Sequence, residues 1–321
     1  MSTTAVIVTF NRREHLVGCL DAIAAQTTPV ESVVVVDNAS TDGTPEYLHE
    51  RGYLDRPGVR LEGLPVNGGG AGGFSHGVAL AREGDADWIW MLDDDAEPEP
   101  DALGRLLASA PAADPGTACV APLVLDAQGE VQRYHRGRWK GRPRPLTLED
   151  YRGPEPVELD YVTFVGPLVR AAAARATEPP RADFFLWAED YEYSFRLREQ
   201  GRLWLVPDAV VIHKDVGQAH TNRRSRFWNR LISPVLGWDL VPSRLDTFWR
   251  NLYGLRNYVW LKRRYEHQSA LGSAGVVAQF IIRSLLCDER PLRRIPAIVR
   301  YGIAGRRGVF ENPYPREGRF R

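Results

Sequence analysis

The residues best suited to chemistry are three consecutive carboxylates, Asp93-Asp94-Asp95, which directly follow the apolar run at 88–92 (WIWML). Three adjacent carboxylates repel one another unless a cation neutralises them. Oxygen ligands suit Mg²⁺ or Mn²⁺, and these ions are commonly shared with the phosphates of a substrate. The motif therefore predicts a metal and diphosphate site, with a solvated acidic turn as the alternative.

A second pair of carboxylates, Glu189-Asp190, follows Trp187 in an aromatic-rich segment. An aromatic neighbourhood desolvates a carboxylate and raises its pKa toward that of a useful general base. An acidic pair favoured by the dipole at a helix N-terminus is the alternative. His213 ends the apolar run 210–212. A histidine at such a place is more often structural, but an acidic turn that needs one more ligand favours a metal role.

Two further motifs are suited to binding a nucleotide. The segment 67–74 (NGGGAGGF) opens a helix, and its glycines let backbone N–H groups approach a polyanion. It is neither a dinucleotide fingerprint nor a P-loop, because no Lys follows, and close helix–sheet packing explains it equally well. Asp37 and Asn38 end another apolar run, where they either hydrogen-bond a pyrimidine edge or cap a turn.

The elements that must position these residues alternate between strand and helix. Short apolar runs typical of buried parallel strands occupy 5–10, 32–36, 59–64 and 88–92, and helical patterns separate them. This alternation predicts an α/β fold with right-handed βαβ units and a mostly parallel sheet covered by helices on both faces. Ligands bind outside the carboxyl ends of such strands, so the polar motifs should converge on one rim.

The remainder of the chain is less regular in its pattern. Residues 111–160 are rich in Pro, Gly and Arg and predict an irregular excursion, centred on about 126–158, with no core element. We predict a helix over much of 184–198, strands at 203–207 and 210–213, and helices at 246–265 and 276–286.

Charge divides the 321 residues into two regions. The chain has 41 basic and 41 acidic side chains, but 1–220 carry 21 basic and 34 acidic residues while 221–321 carry 20 and 7. We therefore predict a catalytic domain at 1–220 and a basic, aromatic-rich helical region at 221–321. The 44% apolar content excludes global disorder and fibrous classes.

Cysteine content and hydropathy bear on location. Three widely spaced cysteines make no disulfide framework and fit a reducing compartment. We expect no signal peptide, because the N-terminus lacks a basic region and a long apolar core. The apolar stretch 274–287 is interrupted by Arg283, and we expect it to be too short and too charged to cross a bilayer.

Six motifs in order resemble glycosyltransferase family 2. They are VTFNR at 8–12, VDNASTDGT at 36–44, NGGGAGGF at 67–74, MLDDDAEP at 91–98, WAEDYEYSFR at 187–196 and the late His213. The form of the glycine motif most resembles the branch with bacterial galactofuranosyltransferases and rhamnosyltransferases of cell-envelope assembly. The resemblance covers about residues 3–215 and implies the GT-A fold, which is Rossmann-like.

The resemblance implies a role for each matching position. On the donor side it places Thr9 and Arg12 against the nucleotide, Asp37 or Asn38 on a uracil or thymine ring, and Asp94 beside the sugar or ribose. The family often has a carboxylate where Asn38 stands, which leaves open which residue reads the base. The other implied substrate-binding residues are Asn67, Gly69, Gly70, Trp187 and Glu189.

For catalysis, the resemblance implies Mn²⁺ or Mg²⁺ on Asp93, Asp95 and His213, and Asp190 as the general base with Glu189 as the alternative. A base on the acceptor hydroxyl and a single in-line displacement would invert the anomeric configuration. The donor favoured by resemblance is UDP-galactofuranose, then dTDP-rhamnose. Acceptors would be a glycan or a polyprenyl-diphosphate-linked glycan. A nucleotide-sugar pyrophosphorylase and a non-catalytic carbohydrate-binding protein are the rival readings.

The C-terminal region interleaves aromatic and Arg side chains, as in Trp249-Arg250 and Trp260 to Arg264. Such a surface suits an anionic membrane or a lipid-diphosphate acceptor, or it packs on the catalytic domain with Arg in solvent. We expect a cytoplasmic protein, peripheral on the inner face of the cell membrane, that does not bind nucleic acid, since no recognised module is present. A homo-oligomer is compatible with the sequence.

Overall fold

The computed structural model describes residues 1–214, 222–236, 241–244 and 246–313. The chain divides into two compact units, one made of residues 1–182 and 189–216 and the other of 183–188 and 217–321. The expected boundary at 220 lies outside the described residues. The short segment 183–188, which we expected in the catalytic domain, belongs to the second unit.

The first unit is built on strands, and these include the four predicted at the start of the chain. The strands are β1 (Thr3–Thr9), β2 (Ser32–Asp37), β3 (Val59–Gly63), β4 (Trp88–Asp93), β5 (Ala96–Pro98), β6 (Thr117–Asp126), β7 (Arg136–Trp139), β8 (Pro143–Pro145), β9 (Val157–Leu159), β10 (Tyr161–Val162), β11 (Leu168–Arg170) and β12 (Arg202–His213).

Helices cover both faces of the main sheet and make up the second unit. Those of the first unit are α1 (Arg13–Ala24), α2 (Thr44–Glu50), α3 (Gly69–Glu83), α4 (Ala102–Ala108), α5 (Ala110–Ala113), α6 (Leu148–Arg152), α7 (Ala171–Arg175) and α8 (Glu189–Arg198). The second unit has α9 (Arg223–Leu236), α10 (Phe248–Glu266), α11 (Ala270–Cys287) and α12 (Pro291–Arg307).

The main sheet has the order β3-β2-β1-β4-β11-β6-β12-β5, with β9 on β12. Strand β1 is parallel to both β2 and β4, and β2 is parallel to β3. Strand β11 runs antiparallel to both β4 and β6. Strand β12 is parallel to β6 and so runs in the same direction as β4. The carboxyl ends of β1, β2, β4 and β12 therefore lie at one edge of the sheet, which we call the rim.

Burial explains why the parallel strands read as continuous apolar runs. All seven residues of β1 are buried, and side chains from its two faces enter two separate core clusters. Helix α3 lies on one face, where an added Cβ on Gly73 would come within 2.3 Å of a methyl carbon of Val8. The glycines of α3 therefore allow the helix to approach β1 closely.

The prediction of an irregular excursion without a core element over 111–160 was wrong. This stretch contains the ten-residue strand β6, buried over most of its length, and the strands β7 and β8 of a three-stranded antiparallel sheet with β10. Arg136 is fully buried and donates hydrogen bonds to four carbonyl oxygens, including those of Pro122 and Val165. The composition of residues 111–160 is typical of a surface loop, and it therefore gave no indication that Arg136 has a buried structural role.

The apolar stretch 274–287, which we expected to be too short and too charged to cross a bilayer, is part of a longer helix. Helix α11 begins at Ala270, four residues before the predicted apolar stretch, and its 18 residues are long and apolar enough to span a membrane by length and composition. Only 22% of the helix is buried. Such a feature is weak evidence for a span, and exposed Leu271 and Ile282 show that much of its apolar surface faces outward.

Candidate functional site

Strand register brings the predicted polar motifs to the rim. Thr9 of β1 pairs with Asp37 of β2, and Val8 pairs with Asp93 of β4. On the other side, His213 pairs with Ala96, the residue that follows the acidic turn. The motifs are far apart in sequence, and the parallel strands make them neighbours.

Three of the rim side chains could hold one metal ion. The ligand atoms of Asp93, Asp95 and His213 all lie within 4.8 Å of one another. Nε2 of His213 is 3.2 Å from Oδ1 of Asp95. Apart from this contact with the imidazole, that oxygen is buried and has no hydrogen-bond partner among the described residues, so a cation would satisfy it. Two carboxylates and one imidazole fit Mn²⁺ or Mg²⁺.

The three carboxylates of the turn differ in their electrostatics. Burial raises the pKa of Asp93 to about 8, and the Asp95 charge adds to the shift. Burial also raises the pKa of Asp94, to about 6, against the Arg12 guanidinium. For Asp95 the effect of burial is outweighed by His213 and then Arg12, which lower its pKa. The turn thus holds carboxylates that are costly to ionise together without a cation.

Thr9 and Arg12 contact the acidic turn directly. The Thr9 hydroxyl donates to Asp94 at 2.8 Å, and Nη1 of Arg12 lies 3.2 Å from Asp94 and 3.0 Å from Asp95. Arg12 therefore neutralises two of the three carboxylates. Arg12 lies at the rim, where it could contact a phosphate, and in this structure it forms ion pairs with Asp94 and Asp95.

Two residues beside His213 escaped the sequence analysis. Oε1 of Gln132 is 3.0 Å from Nδ1 of His213 and 2.7 Å from Nε2 of His135, and His135 contacts Thr163 at 2.7 Å. A carbonyl oxygen only accepts, so Nδ1 of His213 carries a proton, and its Nε2 faces the acidic turn, where it would bind a cation through its lone pair. Without a cation, the contact with Asp95 outweighs burial and raises the pKa of His213. Both residues lie in the stretch that we expected to be irregular.

The glycine motif is braced by Asn38. Its Nδ2 donates to the carbonyl of Gly69 at 2.9 Å, and its Oδ1 accepts from the N–H of Gly68 at 2.8 Å. The side chain of Asn67 accepts from the N–H of Gly69 at 2.7 Å, and Gly69 has a positive φ of 72°. Helix α3 thus begins within the motif itself. Asn38 uses both ends of its amide to hold this turn, whereas Asp37 accepts from the Ser40 N–H at 3.0 Å.

Glu189 and Asp190 begin helix α8. An added Cβ on Gly70 would lie 3.8 Å from Oε1 of Glu189, which places this carboxyl group against the glycine motif. Burial, with the Asp190 and Asp93 charges, raises the pKa of Glu189 well above its usual range. Burial raises the pKa of Asp190 to about 7. Burial therefore disfavours the ionised form of Glu189, while the pKa of Asp190 lies near neutral pH.

Trp187, the remaining predicted site residue, lies in segment 183–188 of the second unit. Its ring is 45% exposed, and its backbone has a positive φ of 67°. Phe185 and Ala188 share this left-handed conformation, with φ of 65° and 70°. Side chains rarely adopt such angles, so the segment is held in place by its surroundings.

Comparison with known sequences identifies the family. The model of glycosyl transferase family 2 matches residues 4–172. Galactofuranosyltransferase GlfT1 of Mycolicibacterium smegmatis is 30% identical over 296 residues, covering 81% of this chain and 94% of that protein. The N-acetylglucosaminyl-diphospho-decaprenol L-rhamnosyltransferase of Mycobacterium tuberculosis is 28% identical over 276 residues, covering 76% and 85%.

Solved structures agree on the fold. GalNAc-T7 with UDP, GalNAc and Mn²⁺ has a TM-score of 0.57 at 17% identity, with 95% of this chain and 57% of that chain covered. Staphylococcus aureus TarS 1–349 in complex with UDP has a TM-score of 0.52 at 15% identity, with both chains fully covered. The mostly parallel sheet with its acidic rim is a GT-A fold, and the chain belongs to glycosyltransferase family 2.

Proposed function

We propose that this glycosyltransferase is an inverting, metal-dependent enzyme that moves a sugar from a nucleoside-diphosphate donor to a lipid-linked glycan of the cell envelope. The observation that carries the proposal is the cluster of Asp93, Asp95 and His213 at the rim, with the Asp95 oxygen buried and unsatisfied by any described residue. A non-catalytic carbohydrate-binding protein has no need to bury such a cluster, which costs stability unless a cation is bound.

The rim residues support distinct roles. Asp93, Asp95 and His213 would hold Mn²⁺ or Mg²⁺, which when bound stabilises negative charge on the leaving diphosphate. Asp190 would take the proton from the acceptor hydroxyl, because its pKa of about 7 suits a general base near neutral pH. Burial disfavours the charged form of Glu189, which makes it less suited to that role, and Glu189 would instead contact the donor sugar.

The substrates are proposed from the relatives. UDP-galactofuranose is the favoured donor because a galactofuranosyltransferase matches 81% of the chain, and dTDP-rhamnose is second because a rhamnosyltransferase matches 76%. The second relative is named for a diphospho-decaprenol acceptor, which supports a polyprenyl-diphosphate-linked glycan here. Trp187 offers the exposed aromatic surface on which an acceptor sugar would rest.

The second unit supports a peripheral position on an anionic membrane. In helix α9, Phe227 and Leu231 are 59% and 55% exposed and lie one turn apart, with exposed Arg223, Arg226 and Arg230 around them. Apolar side chains on one stripe with Arg on its flanks are typical of a helix that lies in the headgroup region of a bilayer. A lipid-linked acceptor would be presented at the same surface.

A product assay tests the proposed function. The full chain is incubated with Mn²⁺, each donor, and either N-acetylglucosaminyl-diphospho-decaprenol or its rhamnosylated derivative. The masses of the lipid products are then measured by mass spectrometry. We expect a lipid product heavier by one hexose or deoxyhexose. This product should not form in the presence of EDTA or with the His213→Ala variant. If no lipid gains a sugar and neither UDP nor dTDP with Mn²⁺ raises the melting temperature, the proposal is wrong.

A further inference from the structure

One buried amide in the second unit binds the whole turn that carries Trp187. Nδ2 of Asn257 lies 3.0 Å from the carbonyl oxygen of Phe184, 3.0 Å from that of Leu186 and 2.8 Å from that of Trp187. Asn257 is fully buried in helix α10. The two N–H donors of this amide thus lie within hydrogen-bond distance of three carbonyls, at the end of the 3₁₀ helix Ala182–Phe184 and in the residues that follow it.

Arg256 fixes the orientation of this amide. Its Nε donates to Oδ1 of Asn257 at 2.9 Å, and its Nη2 donates to the Phe184 carbonyl at 3.0 Å. Nη1 is bound to the carbonyl of Glu311 and the side chain of Asn312, both at 2.9 Å. The guanidinium is fully buried, and it contributes rigidity to the Asn257 side chain.

A third residue of α10 is shaped to the Trp187 ring. A Cβ added to Gly254 would lie 2.6 Å from Cε3 of Trp187, so only glycine leaves room for the ring on this helix. The ring packs on the helix backbone on one side and remains 45% exposed. The left-handed angles at Trp187 and Ala188 cost free energy, which the hydrogen bonds from the Asn257 amide help to offset.

We propose that Asn257, oriented by Arg256, and Gly254 are positioning residues that hold the Trp187 ring as a fixed stacking surface for the acceptor sugar. The proposal deepens the proposed function and rests on it for the identity of the ligand. An aromatic ring with one face packed and another exposed binds the apolar C–H face of a sugar, and a fixed ring loses little conformational entropy on binding. The acceptor therefore gains affinity from a residue that it never touches.

The loop-holding part is tested without substrate, by ¹⁹F NMR of the full chain labelled with 5-fluorotryptophan. The chain has nine Trp, and Trp187→Phe assigns the Trp187 line. We expect the line to broaden or split in Asn257→Asp, which removes the amide donor, and to shift in Gly254→Ala. Asn251→Asp is the matched control on the same helix, because Asn251 donates to Ser243 at 2.7 Å, and its Trp187 line should stay unchanged.

Kinetics with the donor and acceptor that give product test the ligand. We expect Asn257→Asp to raise the acceptor KM at least about five-fold with the donor KM unchanged, and to add little in a Trp187→Ala background. An unchanged Trp187 line in both variants, or equal and additive changes in both KM values, would overturn the proposal. If Asn257→Asp does not fold, Gly254→Ala decides. Absence of any turnover would remove the proposed function and the acceptor, while the NMR result would still decide whether these residues hold the loop.

Discussion

At the scale of single residues, the carboxylates of the site differ because their surroundings differ. His213 and Arg12 outweigh burial and lower the pKa of Asp95, whereas burial and nearby like charges raise the pKa of Glu189 well above its usual range. Asp190 lies between these extremes, since burial raises its pKa to about 7. The environment thus tunes one kind of functional group differently at each position, as the proposed roles of metal ligand, donor-sugar contact and general base require.

We predict that Asp190→Asn lowers turnover by about a thousand-fold or more, because the amide cannot accept the acceptor proton. Binding of UDP with Mn²⁺, measured by calorimetry, should be nearly unchanged. Asp208→Asn is the control, since Asp208 is an exposed carboxylate of the same unit. An Asp190→Asn enzyme with most of its turnover would exclude Asp190 as the base.

The raised pKa of Asp190 also predicts pH dependence. Turnover should rise with pH through about 7, because the base acts only when ionised. Stability should change with pH in the opposite direction to turnover. The native state binds this proton more tightly than the unfolded chain does, so the free energy of unfolding falls as pH rises through about 7. Asp190→Asn should therefore raise the melting temperature more at about pH 8 than at about pH 5. Equal gains at both values would contradict this assignment.

Gln132 gives a third prediction at this scale. Its Oε1 accepts from Nδ1 of His213, so Gln132→Ala frees the imidazole to rotate or change tautomer. Loss of such a supporting contact typically costs about 10-fold or more in metal affinity. Titration of Mn²⁺ followed by electron paramagnetic resonance measures the change. Gln128→Ala, in the nearby turn, is the control and should bind Mn²⁺ normally; equal affinity in the two variants would argue against support by Gln132.

At the scale of elements, the approach of α3 to the sheet places the glycine motif at the rim. An added Cβ on Gly77 would lie 2.3 Å from Cγ1 of Val6 and 3.1 Å from Cγ2 of Val36. The backbone of α3 therefore approaches the sheet more closely than a side chain at position 77 would allow. This contact fixes the position of the N-terminus of α3. The pattern of glycines serves packing along the helix as well as the ligand at its start.

We predict that Gly77→Ala destabilises the protein by about 1–3 kcal/mol, because overpacking against two stiff valines exceeds the gain in helix propensity. Gly72→Ala in the same helix is the control, since an added Cβ there meets nothing within 4 Å. It should be neutral or slightly stabilising. Chemical denaturation measures both, and a Gly77→Ala protein as stable as Gly72→Ala would show that α3 can shift away from the sheet.

At the scale of the whole molecule, charge separates the catalytic and C-terminal regions. Residues 221–321 carry 20 basic and 7 acidic side chains, and the second unit exposes apolar residues on α9, α11 and α12. A basic surface with exposed apolar side chains complements anionic lipid headgroups. The acidic balance of 1–220 would be repelled by the same surface.

We predict that the protein floats with vesicles containing about a third phosphatidylglycerol, and that Phe227→Ser with Leu231→Ser reduces the bound fraction several-fold. High salt should weaken binding in part, since it screens the Arg contribution and leaves the apolar one. Tyr134→Ser is the control, because Tyr134 is 74% exposed in the first unit. Equal flotation of all three proteins would exclude α9 as the contact.

The sequence alone determined the family, the parallel strands and the rim. Buried parallel strands are apolar throughout, and the polar residues that end them are local in sequence, so both are visible as patterns. It missed β6 because Pro122 interrupts that strand and Pro, Gly and Arg surround it. The structure accommodates Pro122 where the register of β12 shifts, between Val206 and Val210.

Only the tertiary structure decided which side chain holds which. That Asn38 braces the glycine turn, that Gln132 orients His213, and that Asn257 holds the Trp187 segment all depend on contacts between residues 30 to 81 positions apart. Such contacts leave no periodic signal, because a polar residue bonded to a distant carbonyl has the same local sequence as one in solvent. The chemistry at the rim could be predicted from residue types, whereas the contacts that position the rim side chains could be seen only in the folded chain.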